Sequence, residues 1–123
     1  MPRRSLERGA LVLLGLLAAL PASAQERQSV LQGLDKVTAR VSTFNVPLDR
    51  PTRFGTLEIT IRACHKRPPE EPPESAAFLE IRELRLGEQP RSLFSGWMFA
   101  SSPALNPLQH PVYDVWVLDC KAG

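Results

Sequence analysis

The stretch TLEITIRAC, residues 56–64, limits the fold of this chain more than any other. Leu57, Ile59, Ile61 and Ala63 share one parity, and Thr56, Glu58, Thr60 and Arg62 share the other. Strict alternation with several β-branched residues is the signature of a strand buried on one face. Gly55 opens the strand, and Pro68-Pro69 forbids its extension because proline donates no ladder bond. The other periodic segments read the same way. Residues 36–43 alternate Val37, Ala39, Val41 and Thr43 with Thr38, Arg40 and Ser42, and Phe44 and Val46 continue after a parity change that indicates a bulge. Residues 77–86 (AFLEIRELRL) fit a strand better than the alternative helix, because Ala77, Leu79 and Ile81 alternate with Glu80 and Arg82. Residues 91–99 and 112–120 are apolar on both parities, as in strands covered on two sides or turning a corner at Gly96. The connections are PLDRP at 47–51, RPPEEPPES at 67–75, GEQP at 87–90 and a three-proline loop at 101–111. Short strands, turn-rich links and no strong helical pattern predict an all-β chain, a small antiparallel β sandwich or barrel.

The N-terminus belongs to a different problem. Arg3, Arg4 and Arg8 precede the apolar run ALVLLGLLAAL at residues 10–20, and Pro21 is followed by Ala22-Ser23-Ala24. That order predicts a signal peptide over residues 1–24 with cleavage before Gln25. Eleven apolar residues are short of the roughly 20 needed to span a bilayer. The expected mature chain is a flexible lead-in over 25–35 and a single β domain over 36–123. Its location would be periplasmic. Cleavage removes three Arg and one Glu, leaving 12 basic against 12 acidic residues, so the +2 formal charge falls to about zero. A neutral domain without a basic patch argues against nucleic acid or an anionic membrane surface as partner. The only two cysteines, Cys64 and Cys120, are expected to pair in an oxidising compartment.

No catalytic motif stands out. His65, His110, Asp114 and Cys120 have no recognised metal-ligand spacing, and no cofactor motif is present. A Cys64–His110 nucleophile needs a thiolate that the disulfide would consume. Ser95, Ser101 and Ser102 lack the GxSxG elbow, and a paired-carboxylate mechanism needs a cleft for which a domain this small has little room. The candidate contact residues are Trp97, Asn106, Gln109, His110, Tyr113 and Trp116, with Phe99 beside them. Rigid aromatics flank a loop stiffened by Pro103, Pro107 and Pro111, a composition that binding surfaces favour. The competing reading puts Trp97 and Trp116 in the core and leaves the 101–111 loop exposed. The proline-glutamate loop at 68–74 reads as a solvated turn or a docking segment.

Three blocks, LDKVTARVSTFNVPLDRPTRFGTLEITIRAC, RPPEEPPESAAFLEI and FSGWMFASSPALNPLQHPVYDVWVLDC, together resemble domain-of-unknown-function family 2155 of Gram-negative, chiefly alphaproteobacterial, envelope proteins. The resemblance covers residues 34–120. It implies an exported domain with paired cysteines and no assigned activity. The chain departs from the family pattern at Gln109, where an acidic residue precedes His-Pro, and at Ala39, where glycine stands. The first departure weakens any metal role there. The functional expectation is a non-enzymatic module that binds a protein or envelope component. The alternative is a small hydrolase or carbohydrate-active accessory enzyme.

Overall fold

A computed structural model describes residues 27–122, so the expected signal peptide lies outside the described residues. The elements are β1 (Gln28–Asp35), β2 (Arg40–Pro47), β3 (Thr52–Phe54), β4 (Leu57–Lys66), β5 (Ser75–Glu83), β6 (Arg91–Phe99) and β7 (Tyr113–Lys121). They form two antiparallel sheets, β2-β1-β7 and β3-β4-β5-β6. The sheets pack face to face around Leu31, Val46, Leu57, Ile59, Ile61, Leu79, Ile81, Val115 and Val117, each at most 3% exposed. Cys64 on β4 and Cys120 on β7 are disulfide-bonded with Cα atoms 5.7 Å apart, and the bridge joins one sheet to the other.

The alternation at 57–61 points Leu57, Ile59 and Ile61 into the core as expected. A bulge at Arg62 then reverses the parity, so Cys64 faces inward and Ala63 outward. Without that extra residue the sulfur would point away from the opposite sheet. Residues 75–83 form a strand in which Ser75, Ala77, Leu79, Ile81 and Glu83 are all buried.

Two expectations fail at the N-terminal side. The lead-in over 25–35 is instead strand β1 from Gln28 onward, the central strand of its sheet. At Gly33 the Phe54 ring takes the place of a side chain: a Cβ there would lie 2.5–2.8 Å from its atoms. The apparent alternation at 36–43 begins in a tight turn between β1 and β2. Asp35 Oδ1 accepts the Val37 and Thr38 amides (2.9 and 3.2 Å), and Ala39 adopts φ +61° before β2 starts at Arg40. Val37 is therefore 77% exposed and Val41 58% exposed, despite their strand-like spacing.

The sandwich has two distinct ends. At one, Ser29 pairs with Cys120 and Cys64 with Ala77 around the disulfide. At the other lie the β1–β2 turn, Gly55, Glu83 and Tyr113. Here Phe44, Phe54, Tyr113 and His110 form a chain of rings with centroids 5.3–5.4 Å apart. Gly55 is required at this end twice over, because its φ is +59° and the Tyr113 ring occupies the place of a Cβ.

Candidate functional site

Residues 101–111 run from the disulfide end of β6 to the opposite end of β7, along the side where both strands are sheet edges. This strap is fastened at three places. Near its start, Glu74 Oε1 accepts the Ser101 amide at 3.0 Å, and Glu74 Oε2 accepts the Ser101 hydroxyl. That hydroxyl is the main reason the Glu74 carboxyl titrates below its ordinary value. In the middle, Asn106 Nδ2 donates to Trp97 O at 3.0 Å, and Ser102 N donates to Phe99 O at 3.1 Å. These bonds cap the β6 edge, which would otherwise offer bare carbonyls to another strand. Leu108, 4% exposed, enters the core.

The far fastening is a buried polar cluster. Glu83 and His110 have side chains 4% exposed, with Glu83 Oε2 and His110 Nε2 3.1 Å apart. His110 Nδ1 accepts the amides of Val112 (3.0 Å) and Tyr113 (3.2 Å). The ring hydrogen therefore sits on Nε2 and is donated to Glu83. The Thr56 hydroxyl also donates to Glu83 Oε2, at 2.8 Å. Arg85 and Arg91 each approach the carboxylate at 3.4 Å. The Thr56 bond, helped by His110 and the Arg85 charge, overcomes the opposing effect of burial and holds the Glu83 carboxyl at about 2. Lys36 Nζ completes the fastening by donating to His110 O at 2.7 Å and pairing with Asp114 at 3.3 Å.

The structure separates the six residues that the sequence grouped as one contact site. His110 and Tyr113 belong to the closed end of the core, and the burial of His110 corrects the expectation that the whole 101–111 loop is exposed. Hydrogen bonding explains it: a histidine that satisfies a buried carboxylate cannot remain at the surface. Gln109, between the buried Leu108 and His110, is exposed on the strap. Trp116 lies on the outer face of the three-stranded sheet, paired with Gln32, and is half-buried. Two pairs stay together: His110 with Tyr113 at the closed end, and Trp97 with Asn106 at the β6 edge. Neither tryptophan is fully in the core. The residues set aside as metal ligands on their spacing are dispersed, with His65 exposed at the end of β4, Asp114 on Lys36 and Cys120 in the disulfide. Among the described residues, no group of three or more His, Cys, Asp or Glu side chains is placed to hold a metal ion.

Trp97 has different neighbours from those the sequence suggested. It is 37% exposed on the outer face of the four-stranded sheet. Phe78 meets it edge-on with centroids 5.5 Å apart, and His65 lies at 6.0 Å. Further along the same face, Arg62 bonds Asp49 (2.8 Å) and Glu80 (2.9 Å), and Arg82 bonds Glu58 (2.7 Å). A cavity of about 420 Å³ opens over these side chains. A second, wider groove of about 1060 Å³ lies at the disulfide end, walled by Pro68, Pro69, Pro73, Ala100 and Leu118. The proline-glutamate loop thus forms a groove wall.

Residues 29–120 match the family model described as "Uncharacterized protein conserved in bacteria (DUF2155)". The chain belongs to DUF2155. The DUF2155 match begins within β1 and ends at Cys120, so it contains both sheets and both cysteines of the bridge. The chain is also similar to an uncharacterised protein of Rickettsia prowazekii (strain Madrid E), with 30% identity over 87 residues. That alignment covers 71% of this chain and 56% of the relative, so the chain spans about half of the relative's length. No solved structure matches the chain. Among the described residues, no helix is long and apolar enough to cross a membrane.

Proposed function

We propose that this DUF2155 chain is an exported, periplasmic and non-enzymatic binding module. It contacts a protein or another component of the cell envelope through the outer face of the four-stranded sheet around Trp97. The observation that carries this reading is the exposure of a tryptophan braced by Phe78 and flanked by His65 on a sheet face. A large ring held in place loses little conformational entropy when a ligand covers it. The signal-like N-terminus and the disulfide fit an oxidising extracytoplasmic compartment. The buried His110–Glu83 pair supports a binding role over hydrolysis. Both ring nitrogens of His110 are engaged, and the nearby Thr56 hydroxyl donates to the carboxylate, not to the ring. A general base needs a free lone pair directed at its substrate's proton.

The test is cosedimentation of the purified mature chain with envelope fragments from its native cells, using wild type, Trp97→Ala and Trp116→Ala. The expected result is a tenfold or greater loss of bound protein for Trp97→Ala and near-wild-type binding for Trp116→Ala. Equal binding by all three folded forms would remove the Trp97 face from the account.

A further inference from the structure

We infer that the outer face of the four-stranded sheet binds a neutral glycan, laid along the strip from Trp97 to Arg82. The inference rests on the reading of this face as the contact surface and specifies the ligand class. Strand register builds the strip. Phe78 pairs with Trp97, Glu80 with Thr60 and Ser95, and Arg82 with Glu58 and Ser92. Alternation along β5 puts Phe78, Glu80 and Arg82 on one face. Successive rows are about 7 Å apart at two residues per step. The strip therefore leads from the partly exposed Trp97 ring to two rows of hydrogen-bonding side chains.

The shape and chemistry of those rows favour hydroxyl groups as ligands. The cavity above them, about 420 Å³, falls within the roughly 300–1,000 Å³ of small-molecule sites. Pro51 walls one side, and Thr60, only 7% exposed, lies at the floor. Each guanidinium is already matched: Arg62 by Asp49 and Glu80, Arg82 by Glu58. With the carboxylates of Asp49, Glu58 and Glu80 against the two guanidiniums, the strip offers an anion no net attraction and would have to be neutralised further to hold one. A sugar hydroxyl, which both donates and accepts, can use the capacity left on both partners, because a guanidinium carries five N–H donors and a carboxylate about four lone-pair sites. The pairs are about half exposed at the arginines, where such contacts add little stability. Their effect is to hold long side chains in one arrangement before a ligand arrives, which lowers the entropic cost of binding. The exposed ring of Trp97 supplies the complementary apolar surface for the C–H face of a pyranose. An extended polypeptide fits this edge less well, since the strap already occupies the Trp97 and Phe99 carbonyls that strand addition would use.

The experiment is an amide NMR titration of the isotope-labelled mature chain. The probes are the β-1,4-linked tetrasaccharides of glucose and of N-acetylglucosamine, and maltotetraose. Each is taken to about 10 mM, enough to populate a site of millimolar Kd. At least one sugar is expected to shift the Trp97 indole and the amides of Thr60, Glu80, Arg82 and Ser95 in a saturating manner. Trp97→Ala should weaken that binding tenfold or more, and Arg82→Met several-fold, with both spectra still dispersed. The inference is overturned if no sugar gives saturating shifts, if the shifts map to another face, or if Trp97→Ala binds as well as wild type. Absent sugar shifts combined with Trp97-dependent envelope binding would reject the glycan, keep the contact face and leave a polypeptide as its ligand. Loss of both dependences would reject both readings.

Discussion

Replacing Glu83 by alanine tests the buried cluster that anchors the strap. The carboxylate accepts hydrogen bonds from Thr56 and His110 at a position 4% exposed. Its removal leaves the buried His110 ring N–H without a partner, at about 1–3 kcal/mol, and turns the half-buried Thr56 hydroxyl back to water. The same hydrogen bonds depress the titration of the carboxyl. The Glu83 carboxyl is held at about 2 against an ordinary 4.5. Such a difference corresponds to roughly 3 kcal/mol of preference for the charged form in the folded state. The expected loss is about 2–4 kcal/mol, a large part of the roughly 5–15 kcal/mol expected for a domain this size. The sign with pH follows from the same numbers. The folded value lies below the unfolded one, so the contribution is complete above about 4.5 and is lost as pH falls towards 2. Urea unfolding at neutral pH, repeated between pH 5 and pH 2, measures both effects. Wild type should lose stability through that window, and the acid slope of Glu83→Gln should be shallower. A Glu83→Ala loss below about 1 kcal/mol at unchanged m-value, or an acid slope identical in Glu83→Gln, would refute the assignment.

Four further changes probe the rest of the fold. Cys64→Ser with Cys120→Ser opens a 56-residue separation and should cost roughly 4 kcal/mol in urea; an unchanged midpoint would contradict the structural role of the bridge. Ala39→Gly should stabilise by about 1 kcal/mol, because Ala39 sits at φ +61°; a loss of stability in thermal unfolding would refute the turn geometry. Gly55→Ala should cost at least about 2 kcal/mol against about 1 kcal/mol for Gly87→Ala, since both have positive φ but only Gly55 abuts Tyr113; equal losses would exclude the ring contact. Leu108→Ala should cost about 2–4 kcal/mol and Leu105→Ala, 69% exposed, under about 0.5 kcal/mol; the reverse order would place the strap wrongly.

Period-two burial was readable where a strand has one wet face. Leu57, Ile59, Ile61, Ala77, Leu79 and Ile81 are core residues in the positions their alternation predicts. Bulges are where that reading breaks. Nothing in TLEITIRAC marks Arg62 as the extra residue, yet it decides that Cys64 and not Ala63 faces the opposite sheet. The alternation at 37–43 was misleading because a turn and an exposed edge strand can carry the same spacing as a half-buried one. Strands β6 and β7 are apolar on both parities, so parity alone could not assign Trp97 and Trp116 to the outer faces of different sheets. Glu83, by contrast, left a usable signal. It continues the inward parity of Ala77, Leu79 and Ile81, and a carboxylate at an inward position demands a buried donor. The sequence contains two histidines to supply one, but the strap has no periodicity to reveal that His110, between the exposed Gln109 and Pro111, turns inward. Ala39 carries a left-handed conformation that glycine would adopt without steric cost, and nothing in its neighbours' spacing marks it as a turn residue.

Oxidative footprinting of the two tryptophans tests the central claim most directly, because each ring serves as the other's control. Trp97 and Trp116 are both accessible, on outer faces of different sheets. Hydroxyl-radical labelling of the mature chain, with and without native envelope fragments, should show Trp97 protected severalfold and Trp116 unchanged. Protection of Trp116 with Trp97 left fully reactive would contradict the account.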